Sequence, residues 1–321
     1  MRAIPRWLLA ATLSATAALP TPPAARAEAP APPGPAEAAP LPMREVAPGI
    51  LVYAAPYALA SRDNEGAIAN VGFVVGRDAV AVIDTGGSLL AGRRLLAAVR
   101  ARTALPIRYV INTHVHPDHV LGNAAFAGEG ATFVGHRNLP EALAARAGSY
   151  LQSNADLVGP GFAGTRIVPP TLLVEERREL DLGGRVLRLD AWPTAHTNSD
   201  LTVRDLATDT WFLGDLLFVG HVPALDGRLE GWIAVLRRLR AEPAARVVPG
   251  HGPASVSWPA ASGPIERYLT TLETEVRAMV RDGRPIGEAG TAAAGEASEW
   301  SLFRDFNARN ATTAYQELEW D

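Results

Sequence analysis

The chain has 321 residues, a formal net charge of −4 and no Cys, and every basic residue is Arg, with no Lys. The missing thiols exclude a disulfide framework, a thiolate zinc finger, a chain-held iron–sulfur cluster and a Cys nucleophile, and the missing Lys excludes Schiff-base chemistry and a Walker-type phosphate loop. The acidic balance argues against a nucleic-acid partner, while 48% hydrophobic and 20% charged residues describe an ordinary globular protein.

Residues 1–27 read as an export signal. Arg2 and Arg6 precede an apolar run over 7–19 that is too short to span a bilayer, and Ala25-Arg26-Ala27 has the small-x-small cleavage pattern. The expectation is a periplasmic protein that begins near Glu28, with no membrane anchor after cleavage. Residues 28–42 are Pro/Ala-rich without apolar period and read as an extended linker. Residues 43–321 are long enough for one large α/β domain with a substantial core.

Short apolar and β-branched runs then recur at 50–54, 67–75, 79–83, 107–111, 132–134, 186–189, 201–203, 210–213 and 246–248, as buried strands would. Helical periodicity occupies 89–102, 139–157 and 229–239, and two longer amphipathic stretches, 265–281 and 298–318, close the chain. Hairpin-like order at the start gives way to αβ alternation, so mixed sheets are expected. Five of the runs end within a few residues of a metal-capable side chain: Asp84, His114, His196, Asp215 and His251. Layered α/β proteins place their ligand sites beyond the carboxyl ends of strands. Gly86, Gly214 and Gly250 stand beside these ends, where the backbone must turn sharply.

The densest motif is Thr113-His114-Val115-His116-Pro117-Asp118-His119. On an extended segment a His-x-His pair aims both imidazoles the same way. Pro117 can open a turn or helix that aims Asp118 and His119 elsewhere. One loop could thus serve two neighbouring ions, His114 and His116 the first, Asp118 and His119 the second. Imidazole plus carboxylate suits zinc, and iron and manganese accept the same set.

The series His114-x-His116-x-Asp118-His119, His196, Asp215 and His251, with Asp84 upstream, resembles the metallo-β-lactamase superfamily over roughly residues 50–253. The resemblance implies an α/β layered fold, an αββα sandwich of two mixed β-sheets flanked by helices, with a dinuclear metal site at one edge of the sheets. It makes His114, His116 and His196 ligands of a first metal and Asp118, His119 and His251 ligands of a second, with Asp215 bridging them. Family β-lactamases usually carry Cys or Ser where this chain has Asp215; the Asp is similar to glyoxalase II, lactonases and arylsulfatases. The stretches 195–201 (AHTNSDL) and 213–223 (LGDLLFVGHVP) resemble a periplasmic branch, the quinoprotein relay system zinc metallohydrolases, which are associated with pyrroloquinoline-quinone (PQQ) dehydrogenases.

From the residues themselves, Asp84 is expected to cap a strand end and orient a ligand imidazole, Asn123 to brace the metal loop and Asp200 the His196 loop. His221 either faces substrate or is structural; His136 reads as structural, and Trp192, Phe212 and Trp232 as core. Two ions, most naturally zinc, could share a water and lower its pKa towards neutrality. The expected function is hydrolysis of an ester-, thioester- or lactone-like bond in a small molecule by that hydroxide, with Asp118 and His119 as catalytic side chains, in the service of a periplasmic quinoprotein dehydrogenase. The alternatives are a β-lactamase, a mononuclear iron persulfide dioxygenase and a non-catalytic metal-binding accessory of a quinoprotein system.

Overall fold

The computed structural model describes residues 38–320; the export signal and most of the linker lie outside the described residues. The elements are, in order, β1 (Arg44–Ala47), β2 (Ile50–Tyr53), β3 (Val71–Val75), β4 (Val80–Ile83), α1 (Leu89–Arg102), β5 (Ile107–Ile111), α2 (Pro117–Val120), β6 (Thr132–His136), α3 (Leu139–Val158), β7 (Leu172–Val174), β8 (Arg177–Asp181), β9 (Val186–Ala191), β10 (Leu201–Asp205), β11 (Thr210–Phe218), α4 (Leu229–Arg240), β12 (Arg246–His251), α5 (Gly263–Arg281) and α6 (Phe303–Leu318). They form a seven-stranded sheet, β1 to β7 in sequence order, and a five-stranded sheet ordered β12-β11-β10-β9-β8. Each sheet is antiparallel on one side and parallel on the other: β4-β5-β6-β7 and β11-β12 are the parallel parts.

The two sheets close on a shared apolar layer, with Val74, Ala81, Ile83 and Ile111 from one and Leu187, Leu201, Val203 and Phe212 from the other. The outer face of the first sheet is covered by α1 through Leu95, Leu96 and Val99. Ser88 caps this helix, its hydroxyl accepting the Ala91 N–H at 3.0 Å, and Arg100 and Arg102 complement the dipole at the other end. The outer face of the second sheet is covered by α4, α5 and α6, where Trp232, Leu236, Tyr268 and Leu269 are buried at helical spacing. Glu317 of α6 caps α4 by accepting the Leu229 N–H at 2.6 Å. The result is the expected αββα sandwich.

Several local expectations change. Strands β1, β7 and β8 carry no alternating apolar signal; β8 reads RRELD with only Leu180 buried, as suits a short charged edge strand. Residues 67–69 are apolar but not a strand: Asn70 pins this loop, its amide donating to Pro249 O at 2.9 Å and its Oδ1 accepting from Ala55 N at 2.9 Å. The packed chain begins before Met43, since Leu41 is buried against the first sheet and its N–H donates to Arg94 O at 3.1 Å. Helix α6 starts at Phe303 rather than 298, after a left-handed Leu302. Most consequential, β11 runs on through Asp215 and β12 through His251, so these residues lie inside strands rather than beyond them.

Candidate metal centre

Asp84, His114, His116, His119, His196, Asp215 and His251 all come from one edge of the two sheets. Asp84 follows β4 with a left-handed φ of 55°. His114 and His116 lie in the bend after β5, and Pro117 opens α2 at its first position, turning Asp118 and His119 the other way. His196 sits in the β9–β10 connection. Asp215 is turned inwards where the β11–β12 register breaks around Gly214, which has a left-handed φ of +53° and where a Cβ would stand 2.8 Å from Thr113 Cβ. Gly250 lets Asp215 stay there, because a Cβ at Gly250 would stand 1.8 Å from Asp215 Oδ1.

Among the described residues two sets could hold metal ions: His114, His116, His196 and Asp215, and Asp118, His119 and His251, each with ligand atoms within 4.8 Å of one another. Asp215 stands between them. Its Oδ2 lies 3.7 Å from His114 Nε2, 3.4 Å from His196 Nε2 and 3.4 Å from His251 Nε2, and its Oδ1 lies 3.2 Å from His119 Nε2.

The hydrogen bonds around the rings fix which nitrogen faces inwards. His196 Nδ1 must donate to Ala224 O at 2.6 Å, since a carbonyl can only accept. His119 Nδ1 donates to Asp84 Oδ2 at 2.8 Å, and His116 Nε2 to Asp226 Oδ2 at 3.1 Å. The Thr113 hydroxyl gives its single proton to Asp84 Oδ2 at 2.7 Å, so it accepts from His114 Nδ1 at 3.0 Å. The ring nitrogens not engaged by these oxygens, His114 Nε2, His116 Nδ1, His119 Nε2 and His196 Nε2, therefore face one another and the carboxylates. His114 Nε2, His119 Nε2 and Asp215 Oδ1 are buried with no hydrogen-bond partner. Converging ring nitrogens and carboxylate oxygens, with four of the rings braced from behind by an oxygen, are what a divalent cation satisfies, and the residues present fit such ions.

The metal-free electrostatics divide the two sets. Burial holds His196 at about 3 and His114 well below its ordinary value, so both stay neutral. Burial also opposes charge on His119 and His251, but the carboxylates win. Asp215 and Asp84 raise His119 well above its ordinary value, and Asp215 and Asp118 bring His251 to about 9. Both should carry a proton at pH 7, which cation uptake must displace. Metal binding at pH 7 is therefore expected to release roughly two protons, read from the dependence of the calorimetric heat on buffer ionisation enthalpy; no release would contradict the assignment. The sign of the stability effect follows: these raised values stabilise the metal-free fold fully below about pH 6.5, and the contribution fades as pH rises through about 9.

Asp84, Asn123 and Asp200 are each buried and hydrogen-bonded. Asp84 also accepts the Thr113 N–H at 2.8 Å. Asn123 exchanges amide hydrogen bonds with Asn112 and accepts from the Thr85 hydroxyl at 2.8 Å. Asp200 holds the His196 loop by accepting from Thr197 N and Oγ1, at 2.9 and 2.7 Å. His136 belongs to neither set; burial holds it at about 4, and its Nδ1 accepts from Asn138 N. Trp192, Phe212 and Trp232 are core. His221 packs against His251 at 4.9 Å between ring centroids, and its Nδ1 donates to Val222 O at 2.6 Å.

The site opens into a cavity of about 370 Å³ lined by His116, Asp118, Asp215, His221 and His251, with Phe218 and Phe306 among its apolar walls. A larger cleft of about 680 Å³ around Arg177, Asp190 and Trp192 includes none of the seven clustered side chains. Sequence reading missed Asp226, Arg146, Tyr150 and Arg309, which line the cavity, and Asn310. Asn310 of α6 accepts from Leu225 N at 2.9 Å and donates to Pro223 O at 2.6 Å, fixing the loop whose Ala224 and Asp226 orient His196 and His116. For Asp226 a faint signal existed, since it shares a Gly/Pro-rich loop with His221; nothing in the sequence told which face of α3 or α6 would meet the site.

The family model described as "Metallo-beta-lactamase superfamily" matches residues 65–251. A linear primary-alkylsulfatase from Pseudomonas sp. (strain ATCC 19151) is 42% identical over 48 residues, a match covering 15% of this chain and only 9% of that protein. In structure the chain is similar to a sec-alkylsulfatase from Pseudomonas sp., at TM-score 0.66 and 15% identity, over 87% of this chain and 50% of that one. It is likewise similar to a metallo-beta-lactamase from Pontibacter korlensis, at TM-score 0.58 and 18% identity, over 71% of this chain and 98% of that one. At these identities the structural likeness speaks for the fold.

Proposed function

The chain belongs to the metallo-beta-lactamase superfamily and is a metal-dependent hydrolase, and from that premise we propose a dinuclear zinc enzyme, exported to the periplasm, that cleaves an ester-, thioester- or lactone-like bond. The observation that carries the proposal is the set of ring nitrogens and orphaned buried atoms converging on Asp215. His114, His116 and His196 would hold one ion, Asp118, His119 and His251 the other, and Asp215 both. Ions there would supply the positive charge that acidifies water and draws electrons from the scissile bond.

The chain's own side chains do the rest. Asp84, Thr113, Asp226 and Ala224 O fix the tautomers and orientations of four ligand rings. Burial works against an ionised Asp118, but His119 and His251 beside it hold its carboxyl well below the usual range. Asp118 thus faces the cavity as a carboxylate able to accept a hydrogen bond from water and orient it. Burial pushes the Tyr150 phenol up, so its O–H stays a donor at the same wall. His221, with Nδ1 committed to Val222 O, presents Nε2 as an acceptor. Phe218 and Phe306 keep one wall dry.

We assign the physiological setting, a quinoprotein (PQQ) dehydrogenase system, from the resemblance of 195–201 and 213–223, and the periplasm from the signal-like residues 1–27. The alkylsulfatase match over 48 residues favours a second reading, hydrolysis of a sulfate ester at the same centre. A panel of activated esters, thioesters, lactones, an alkyl sulfate and nitrocefin, given to zinc-loaded protein, tests both. With Asp215 where β-lactamases of the family usually carry Cys or Ser, nitrocefin is expected to turn over at least about tenfold more slowly than the best ester, a difference of roughly 1.4 kcal/mol in barrier. Nitrocefin as the fastest substrate would remove the distinction.

A further inference from the structure

The mouth of the cavity carries a pair of guanidinium groups. Arg146 belongs to α3, where Ser149 and Tyr150 follow at helical spacing and line the same cavity. Arg309 belongs to α6, one turn beyond Phe306, which also lines it. Both arginines converge on one carboxylate: Arg146 Nη2 lies 3.3 Å from Asp226 Oδ2, and Arg309 Nη2 lies 3.3 Å from Asp226 Oδ1. Asp226 in turn accepts from His116 Nε2. Two cations thus share a single anion that also serves an imidazole. Each guanidinium has five N–H donors in a planar fork and gives one of them to Asp226. The same cavity is lined by Ser149 and Tyr150, by the apolar Ile68, Phe218 and Phe306, and at its inner end by Asp118 and Asp215.

We propose that Arg146 and Arg309 form an oxyanion-recognition pair, making the preferred substrate an amphiphile with one fixed anionic oxygen group and an apolar body. A forked guanidinium pair matches a carboxylate, sulfate or sulfonate, and Arg146 and Arg309 share the single carboxylate of Asp226 as ion-pair partner. The apolar body lies along Phe218 and Phe306. Asp226 keeps the two arginines from repelling each other and ties the recognition end to His116, one side chain from the proposed first metal. Arg309 of α6 lies outside residues 65–251, the part matched by the family model, whereas Arg146 lies within it.

The inference rests on the reading of this cavity as the substrate pocket, but its test needs no turnover. Zinc-loaded protein is titrated calorimetrically with 1-octanesulfonate, which cannot be hydrolysed, and with 1-octanol, which has the same chain and no charge. In the double variant Arg146→Gln/Arg309→Gln the octanesulfonate affinity is expected to fall at least tenfold, the octanol affinity to change less than twofold, and the metal content by elemental analysis to match the wild type. Unchanged octanesulfonate affinity would place the anion elsewhere and overturn the proposal. Equal loss for both probes, or loss accompanied by loss of metal, would show that the arginines only hold Asp226 in place, and would overturn it too. The hydrolytic reading is judged separately by the substrate panel, and either can fail while the other stands.

Discussion

Asp215→Ala is expected to fold, to lose much of its bound metal and to hydrolyse the best ester of the panel at less than about a thousandth of the wild-type rate, a loss of roughly 4 kcal/mol of transition-state stabilisation. The side chain lies within 3.7 Å of four imidazole nitrogens drawn from both ligand sets. Without its negative charge two divalent ions would face each other unscreened, and one should leave. The fold should survive because β11 is held by its ladder to β10 and β12 and by Trp211, Phe212, Leu213, Leu216 and Leu217, all buried. Elemental analysis and circular dichroism on one preparation check this. Wild-type metal content in the variant would sink the bridging role.

The two histidine sets should differ in consequence. His116→Ala is expected to abolish turnover, whereas His119→Ala should keep one metal and a residual rate of ~1% or less. Three imidazoles would leave the charge of an ion in the first set undiminished except by Asp215, which would favour acidifying water, whereas Asp118 would offset the charge of an ion in the second. His116 Nδ1 lies 3.0 Å from His196 Nε2, so its removal takes away one of the nitrogens that converge on the first set. Metal content and rate measured on both variants decide this. Near-complete activity in His116→Ala would show that the first set is not where water is activated.

The metal-capable side chains were legible because each has chemistry that few other positions share. Five of the chain's seven histidines are the three of the HxHxDH motif, His196 and His251, and a run of ligand types is readable without coordinates. The strands that position them were legible where both faces are buried, as in β4, whose four residues are all buried. The edge strands β1 and β8 were not, because a strand exposed on one face and charged loses the apolar signal. The extension of β11 past Gly214 was hidden because Gly-Asp reads as a turn when the partner strand is unknown. Asp226, Arg146 and Arg309 act through partners 80 to 110 positions away. Their roles come from tertiary packing, and no spacing in the sequence encodes it.

The central claim is that these seven side chains hold two ions and that hydrolysis depends on them. Protein stripped of metal by a chelator can be titrated with zinc while bound metal and ester hydrolysis are followed in the same samples. The account predicts no measurable hydrolysis without metal, and a rate that climbs with zinc and levels off at about two equivalents per chain, the capacity of a two-ion site. Full ester hydrolysis by the stripped protein, or a chain that binds no zinc, would contradict it.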